Sequence, residues 1–232
     1  MNKRLLNPLR LVLLGIFAAA NVPAAVSFVN LNFEDAQIPI VPSGQAGTTE
    51  SVANALPGWR AFIGVNESAT VWHNSVPLGS TRVIVFGPYF DTWGILSDNY
   101  SACVGGAYNY FPDQRDASIT QTGTVPVWAN GIQFMVSPWA HAFTVSLAGN
   151  VLPTVTVSSN ASYMVWGADI SAYAGSTTEL RFTSLYDGTG LPNLTSLDDI
   201  QFMAEAVPEP GTIALFALGG IGLFLAARRR DS

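Results

Sequence analysis

Phe143-Thr-Val-Ser-Leu-Ala-Gly-Asn-Val-Leu-Pro-Thr-Val-Thr-Val157 carries the clearest secondary-structure signal in the chain. Apolar residues alternate with polar ones in the first half, and β-branched residues dominate the second, as expected of strands with one buried face. Between them, Gly149-Asn150 tolerates the positive φ angles of a tight turn, so the pair predicts a β-hairpin. We find the same kind of short run throughout the chain and no sustained helical period, which predicts an all-β protein.

The number of such runs predicts how the sheets are arranged. About ten strands in one domain indicate two packed sheets, because a single open sheet of that width would leave an apolar face in water. The segments 36–56 and 91–111 are predicted to be irregular loops. The predicted strands are Val26–Phe33, Trp59–Val65, Thr70–His73, Thr81–Phe86, Ser118–Gln121, Gly131–Val136, Phe143–Ala148, Val151–Val157, Met164–Ala168, Glu179–Thr183 and Leu197–Phe202.

The N-terminus has the organisation of a secretory signal peptide. Three cations within the first ten residues precede the apolar run 11–20, which is too short to cross a bilayer, since crossing takes about 20 residues. Val22-Pro23-Ala24 approximates the small-x-small pattern of a cleavage site. We therefore expect residues 1–24 to be removed on export, with cleavage after Ala25 as the alternative.

The C-terminus predicts one transmembrane helix. The run 211–227 has no ionisable side chain, and as a helix it would be about 25 Å long, close to the hydrocarbon thickness of about 30 Å. Arg228, Arg229 and Arg230 follow directly. Clustered cations beside a span stay on the cytoplasmic face, so the domain before the span faces outward.

A Pro-Glu-Pro triplet stands just outside this predicted span, at Pro208, Glu209 and Pro210. Pro-Glu-Pro, a short Gly-rich apolar run and a terminal arginine cluster together resemble the PEP-CTERM sorting signal. The resemblance implies that an exosortase cleaves the chain near this triplet and delivers the protein to the cell surface or to extracellular polysaccharide. Two prolines also keep this stretch free of backbone pairing, which suits a protease substrate. The predicted organisation is a signal peptide at 1–24, an ectodomain at 25–206 and a sorting tail at 207–232.

The composition of the exported part excludes one class of partner. Residues 25–210 contain four arginines, no lysine and fifteen acidic residues, a formal charge of −11. Nucleic-acid binding needs clustered cations to neutralise phosphates, so we expect no nucleic-acid partner. Cys103 is the single cysteine, which rules out an intramolecular disulfide, and we expect it to be a small buried residue.

A second resemblance concerns the ectodomain. Asn30-Leu-Asn-Phe-Glu34 followed by Leu56-Pro-Gly-Trp59, and Leu197-Asp-Asp-Ile-Gln-Phe202 near the end, are similar to the first and last strands of galactose-binding-like jelly rolls found among carbohydrate-binding modules. The resemblance implies a jelly-roll β-sandwich. It also implies a structural Ca²⁺ held by Glu34 and Asp199, and Ca²⁺ needs further oxygens, for which Asp198 or Asn32 are candidates.

Three functions from different classes follow. The first is a non-catalytic surface or matrix protein, favoured by the few reactive side chains. The second is a sugar-binding module, for which Trp93 and Trp139 are the aromatic residues expected to be exposed. The third is a glycoside hydrolase using Asp113 and Asp116, whose separation the sequence does not define.

The two histidines add no catalytic motif. Neither His73 nor His141 has the spacing of a metal site or stands next to a nucleophile motif. We expect both to be polar surface or loop residues.

Overall fold

The computed structural model describes residues 26–76, 81–90, 94–105, 115–186 and 193–207. The predicted signal peptide, the Pro-Glu-Pro triplet, the apolar run 211–227 and the terminal arginines lie outside these residues. So do two predicted site residues, Trp93 and Asp113. Within the described ranges, no helix is long and apolar enough to cross a membrane.

The regular secondary structure of the described chain is mostly β-strand. One short α-helix, α1, covers Val52–Ala55, and its N-terminus is capped by the Ser51 hydroxyl, which accepts from Asn54 N. A 3₁₀ turn covers Ser171–Tyr173. The strands are β1 Thr48–Ser51, β2 Arg60–Ile63, β3 Asn66–Ser68, β4 Thr70–His73, β5 Arg82–Phe86, β6 Ser101–Gly105, β7 Ala117–Thr124, β8 Gly131–Val136, β9 Phe143–Leu147, β10 Asn150–Val151, β11 Val155–Ser159, β12 Met164–Asp169, β13 Thr177–Ser184 and β14 Leu194–Met203.

These strands form two sheets. The eight-stranded sheet has the order β1-β4-β5-β6-β14-β8-β12-β11, and the six-stranded sheet has the order β10-β9-β13-β7-β2-β3. The described strand pairs are antiparallel except β4 with β5, which is parallel. An all-β protein with two sheets was the prediction, and the structure confirms it.

The main hydrophobic core lies between the two sheets. Ile119, Leu180 and Phe182 of the six-stranded sheet pack in one cluster with Phe134 and Leu197 of the eight-stranded sheet. Each of these side chains is fully buried or nearly so. Alternate residues on the same strands face outward, which is the period-two pattern expected of a sandwich.

A second, smaller core covers the outer surface of the eight-stranded sheet around β5 and β6. Ile84, Phe86 and Cys103 belong to it, and Trp72 packs against it. The prediction that Cys103 is buried is confirmed. Burial also raises the pKa of the Cys103 thiol to about 12. Strands covered on both faces lose polar alternation, which explains why the sequence pattern missed β6 and predicted a loop there.

The predicted hairpin is present only in part. The predicted strand Val151–Val157 is wrong, because the chain leaves the six-stranded sheet after β10 and enters the eight-stranded sheet as β11. The turn also lies one residue earlier than predicted. Leu147 pairs with Asn150, so Ala148 and Gly149 form the turn. Their φ angles are +52° and +78°, the left-handed values that a two-residue hairpin turn requires. The turn was predicted one residue too late because Ala148, unlike Gly or Asn, is not a residue type that indicates a positive φ angle.

The predicted strand Val26–Phe33 is wrong. Asn30 and Phe33 have φ angles of +49° and +59°, which are incompatible with an extended strand. The Asn30 side chain accepts from Asp35 N and donates to Pro57 O, so it stabilises a turn, and Phe33 enters the main core. The segment 36–56, predicted as a loop, contains β1 and α1.

Both ends of the described chain lie at one end of the sandwich. This terminal end comprises the adjoining ends of β7, β8, β12, β13 and β14, since Gly131 is paired with both Asp169 and Met203. Thr124 N donates to Val26 O at 2.6 Å there, which fixes the first described residue. The last described residue, Val207, is buried against the same end, next to the positions of Gly131 and Gly167.

Candidate functional site

One loop binds two carboxylates of the ectodomain. Asn99 N and Tyr100 N donate to Glu34 Oε1 at 2.9 and 2.8 Å, and Asn99 Nδ2 donates to Oε2 at 3.0 Å. Two residues away, Ser97 N and Ser101 Oγ donate to Asp198 Oδ2 at 3.2 and 2.6 Å. The loop 97–101 therefore joins the N-terminal segment to β14.

Asp198 is the more deeply buried of these two acids, at 1% exposure. Burial raises the pKa of its carboxyl to about 7, although hydrogen bonds from Ser101, from Asp199 N and from Ser97 N oppose that shift. The nearby Glu34 charge acts in the same direction as burial. Burial together with Glu34 also raises the pKa of Tyr100.

The residues predicted to bind calcium bond to different partners in this structure. Glu34 accepts from the loop 97–101, whereas both carboxylate oxygens of Asp199 accept from Gln201 Nε2 at 2.8 Å. Asp198, not Asp199, is the acid held by the same loop as Glu34, and Asn32 is exposed on the turn before Glu34. Among the described residues, no three His, Cys, Asp or Glu side chains form a metal-binding group. Calcium binding stays a prediction.

Of the two predicted sugar-binding aromatics, the structure describes Trp139. It is 45% exposed on the loop between β8 and β9, at the end of the sandwich opposite the terminal end. His141 lies beside it, with Nδ1 3.0 Å from Trp139 O, and is exposed as predicted. The sugar-binding role of Trp93 and Trp139 stays a prediction.

The expectation for His73 is wrong, because this side chain is fully buried. It lies on β4 two residues after Val71, so it shares the inward face of that strand. Neither ring nitrogen has a hydrogen-bond partner among the described residues. Burial lowers the pKa of His73, and the Glu50 charge offsets part of that shift. Alternation along Thr70–His73 was the signal that could have predicted this burial.

Asp116 is the described member of the acidic pair considered for hydrolysis. Its Oδ1 accepts from Tyr186 N at 2.7 Å, so it joins the start of β7 to the end of β13. The partner residue, Asp113, lies outside the described residues. The hydrolase hypothesis therefore stays a prediction.

The outer surface of the six-stranded sheet carries a regular array of hydroxyl groups, which we call the hydroxyl face. Sequence reasoning missed it, although the alternation of Ser and Thr along β7 was a visible signal. Facing positions on adjacent strands are about 5 Å apart, and one row of hydroxyls crosses β9, β13 and β7 at Thr144, Thr183 and Ser118. Its exposed or half-buried members are Thr122, Thr124, Thr144, Ser146, Thr177 and Thr183, and Ser118 and Thr120 are buried members.

Two ion pairs and one aromatic ring complete this face. Arg60 forms a two-bond pair with Glu67 at 2.8 and 2.6 Å, and Arg181 Nε donates to Glu179 Oε1 at 3.0 Å. The guanidinium carbons of Arg60 and Arg181 lie 5.0 and 4.8 Å from the centre of the Phe62 ring. Two cations and two anions make the hydroxyl face neutral, although residues 25–210 carry a formal charge of −11.

A groove borders the hydroxyl face at β2 and β3. Its volume is about 490 Å³, within the range of small-molecule sites. The Arg60–Glu67 pair forms one wall, and Trp59 and Ser68 also line it. The Trp59 indole is mostly buried, with its N–H donating to Asn30 O at 2.9 Å, so the ring is held rigidly.

Three comparisons with known proteins bear on this chain. Residues 206–230 match the PEP-CTERM protein-sorting motif. A search of curated proteins finds no match. Among solved structures, the secreted serine protease VesC from Vibrio cholerae is similar at 12% identity and a TM-score of 0.32, over 57% of this chain and 26% of that chain. The matched part is about a quarter of that protease, and a likeness this weak carries no inference about fold or activity.

Proposed function

From the PEP-CTERM motif at residues 206–230, we propose that this chain is an exported, non-catalytic surface or matrix protein processed by an exosortase. In this proposal the apolar run 211–227 anchors the chain in the membrane until cleavage near Pro208–Pro210 releases the sandwich. Pro208, Glu209 and Pro210 are substrate residues, and Arg228–Arg230 hold the tail on the cytoplasmic side.

The position of the motif relative to the packed domain is the observation that supports this proposal most directly. It starts at residue 206, and Val207 is only 5% exposed against the end of β14. The packed domain therefore reaches to the residue before the Pro-Glu-Pro triplet. Cleavage just beyond this point would release the sandwich with its described core complete.

The described reactive side chains support a non-catalytic role. The Cys103 thiol is fully buried and its pKa is raised to about 12, so it does not form the thiolate that a nucleophile needs. His73 is buried as well, beyond the reach of a substrate in solvent.

Mass spectrometry of the mature protein tests the sorting proposal. In a host that has its exosortase, we expect a new N-terminus at Ala25 and a C-terminus near Pro208–Pro210. The P208A/P210A double variant should keep its tail and stay in the membrane fraction, whereas P153A, a change at an exposed proline between β10 and β11, should be processed normally. Wild-type surface protein that still carries Arg228–Arg230 would refute the proposal.

The hydroxyl face favours a second function, the binding of a neutral glycan by a galactose-binding-like jelly roll. Serine and threonine hydroxyls both donate and accept, so they can pair with the hydroxyls of a sugar chain. The hydroxyl face has no net charge, whereas the rest of the domain is acidic and would repel an acidic glycan.

A glycan array probed with the mature protein tests sugar binding and locates the site. Loss of signal in R60A/E67A, with W139A unaffected, would place binding at the groove and the hydroxyl face. Loss in W139A alone would place it at the predicted aromatic loop instead. No signal from the wild-type protein on arrays or on the host's own exopolysaccharide would exclude this function.

A further inference from the structure

Two large apolar residues occupy the tip of the turn between β7 and β8. Ala129 N donates to Pro126 O at 2.9 Å, which closes a four-residue turn with Val127 and Trp128 at its centre. These side chains are 80% and 55% exposed. Turn centres normally carry Gly, Asn, Asp or Ser, so a Val-Trp pair here places apolar surface in water without a local structural reason.

This turn lies at the terminal end, between the two ends of the described chain. On one side of it, Thr124 N donates to Val26 O. On the other side, Asn130 N donates to Met203 O at 2.8 Å and Asn130 Nδ2 donates to Ala204 O at 2.7 Å. The exposed pair is therefore held beside the place where the sorting tail leaves the domain.

The length of the tail limits how far this end can be from lipid. Val207 is packed on the sandwich, and the predicted span starts at Gly211. Four Cα–Cα steps extend at most about 14 Å. The headgroup layer on one side of a bilayer is about 5–8 Å thick. A domain tethered this closely has its terminal end at or near the headgroups for as long as the tail is uncleaved.

We propose that Val127 and Trp128 insert into the headgroup region of the membrane and orient the sandwich before the tail is cleaved. Tryptophan favours this region, where its ring is partly buried and its N–H stays hydrated. The terminal end carries Asp169 and Glu205 and none of the ectodomain arginines, so its partner is a zwitterionic lipid surface rather than an anionic one. This inference rests on the proposed membrane anchor.

Quenching by brominated lipid tests the inference with the full-length chain. The protein is reconstituted into phosphatidylcholine vesicles with or without bromine on the acyl chains, and the tryptophan emission of the floated fraction is compared. We expect brominated lipid to quench the wild-type emission and W128F to lose more than half of that quenching. W139F is the matched control, because Trp139 is similarly exposed at the opposite end, and it should keep the wild-type quenching.

The outcomes separate this inference from the anchor on which it rests. If the wild-type chain fails to float with the vesicles, the anchor is wrong and the inference falls with it. If the chain floats but W128F and the wild type are quenched equally, the anchor stands and the inference alone is overturned. Equal quenching losses in W128F and W139F would also overturn it, because they would show no preferred orientation.

Discussion

The Asp198→Asn substitution should lower the stability of the protein at pH 4 and raise it at pH 8. Asp198 is 1% exposed, and burial raises the pKa of its carboxyl from 3.8 to about 7. Between these values the folded protein holds the proton while the unfolded chain has lost it. The contribution of Asp198 to the free energy of unfolding is therefore fully present below pH 4 and is lost as the pH rises through 7.

The size of this effect follows from the shift. Each pKa unit corresponds to 1.36 kcal/mol, so a rise of about three units makes the wild type about 4 kcal/mol less stable at pH 8 than at pH 4 through this group alone. The asparagine does not titrate, but its amide N–H would face a backbone N–H from Ser97 or Asp199, costing about 1–3 kcal/mol. The wild type should be the more stable protein at pH 4 and D198N the more stable one at pH 8.

Urea unfolding of both proteins in non-ionic detergent, followed by tryptophan fluorescence at intervals from pH 4 to 8, measures the difference directly. S101A should move the transition to higher pH, because the Ser101 hydroxyl bond at 2.6 Å lowers the pKa of Asp198. S171A is the control, since its hydroxyl donates to Asp169 on the surface. A stability difference between wild type and D198N that is constant with pH, or that shifts toward the wild type as the pH rises, would contradict this prediction.

Three substitutions and one labelling experiment test the core and the terminal end. His73→Leu should make the free energy of unfolding less dependent on pH below about 6.5. In the wild type the buried ring stays neutral while the unfolded chain takes up a proton, so the wild type loses stability as the pH falls. Urea unfolding at pH 5 and 7 measures this difference. Phe182→Ala should lower the free energy of unfolding by about 3–5 kcal/mol, since its ring is fully buried, and a smaller urea midpoint is the readout. Cys103 should react with a thiol reagent only after unfolding, as a timed labelling experiment would show. Gly131→Ala should cost about 1–3 kcal/mol in thermal unfolding, because its Cβ would lie 2.7 Å from Glu205 O.

Local pattern was enough to predict most of this fold. β4 and β8 have the predicted bounds, and β9, β12 and β13 differ from prediction by one or two residues at an end. These strands have one face in the core and one in solvent, so burial leaves an alternation that can be read directly. Where burial is two-sided, that alternation disappears. β5 was still predicted from its β-branched residues, whereas β6, which has one β-branched residue, was missed. The turn at Asn30 was wrongly predicted as a strand.

The candidate sites were less accessible to prediction because they combine residues distant in sequence. The hydroxyl face joins residues of β2, β3, β7, β9 and β13, and its neutrality appears only when Arg60 meets Glu67 and Arg181 meets Glu179. The carboxylates of Glu34 and Asp198 share one loop, although more than 160 positions separate them in the sequence.

The sorting tail, the acidic all-β domain and the absence of an intramolecular disulfide were predictable from sequence alone, because each depends on composition or on neighbouring residues. Which side chains meet became known only from the folded structure. His73 is buried there, burial raises the pKa of Asp198, and Trp128 lies beside both ends of the described chain. Strand order brings together residues that are far apart along the chain, and the local sequence pattern does not predict that order.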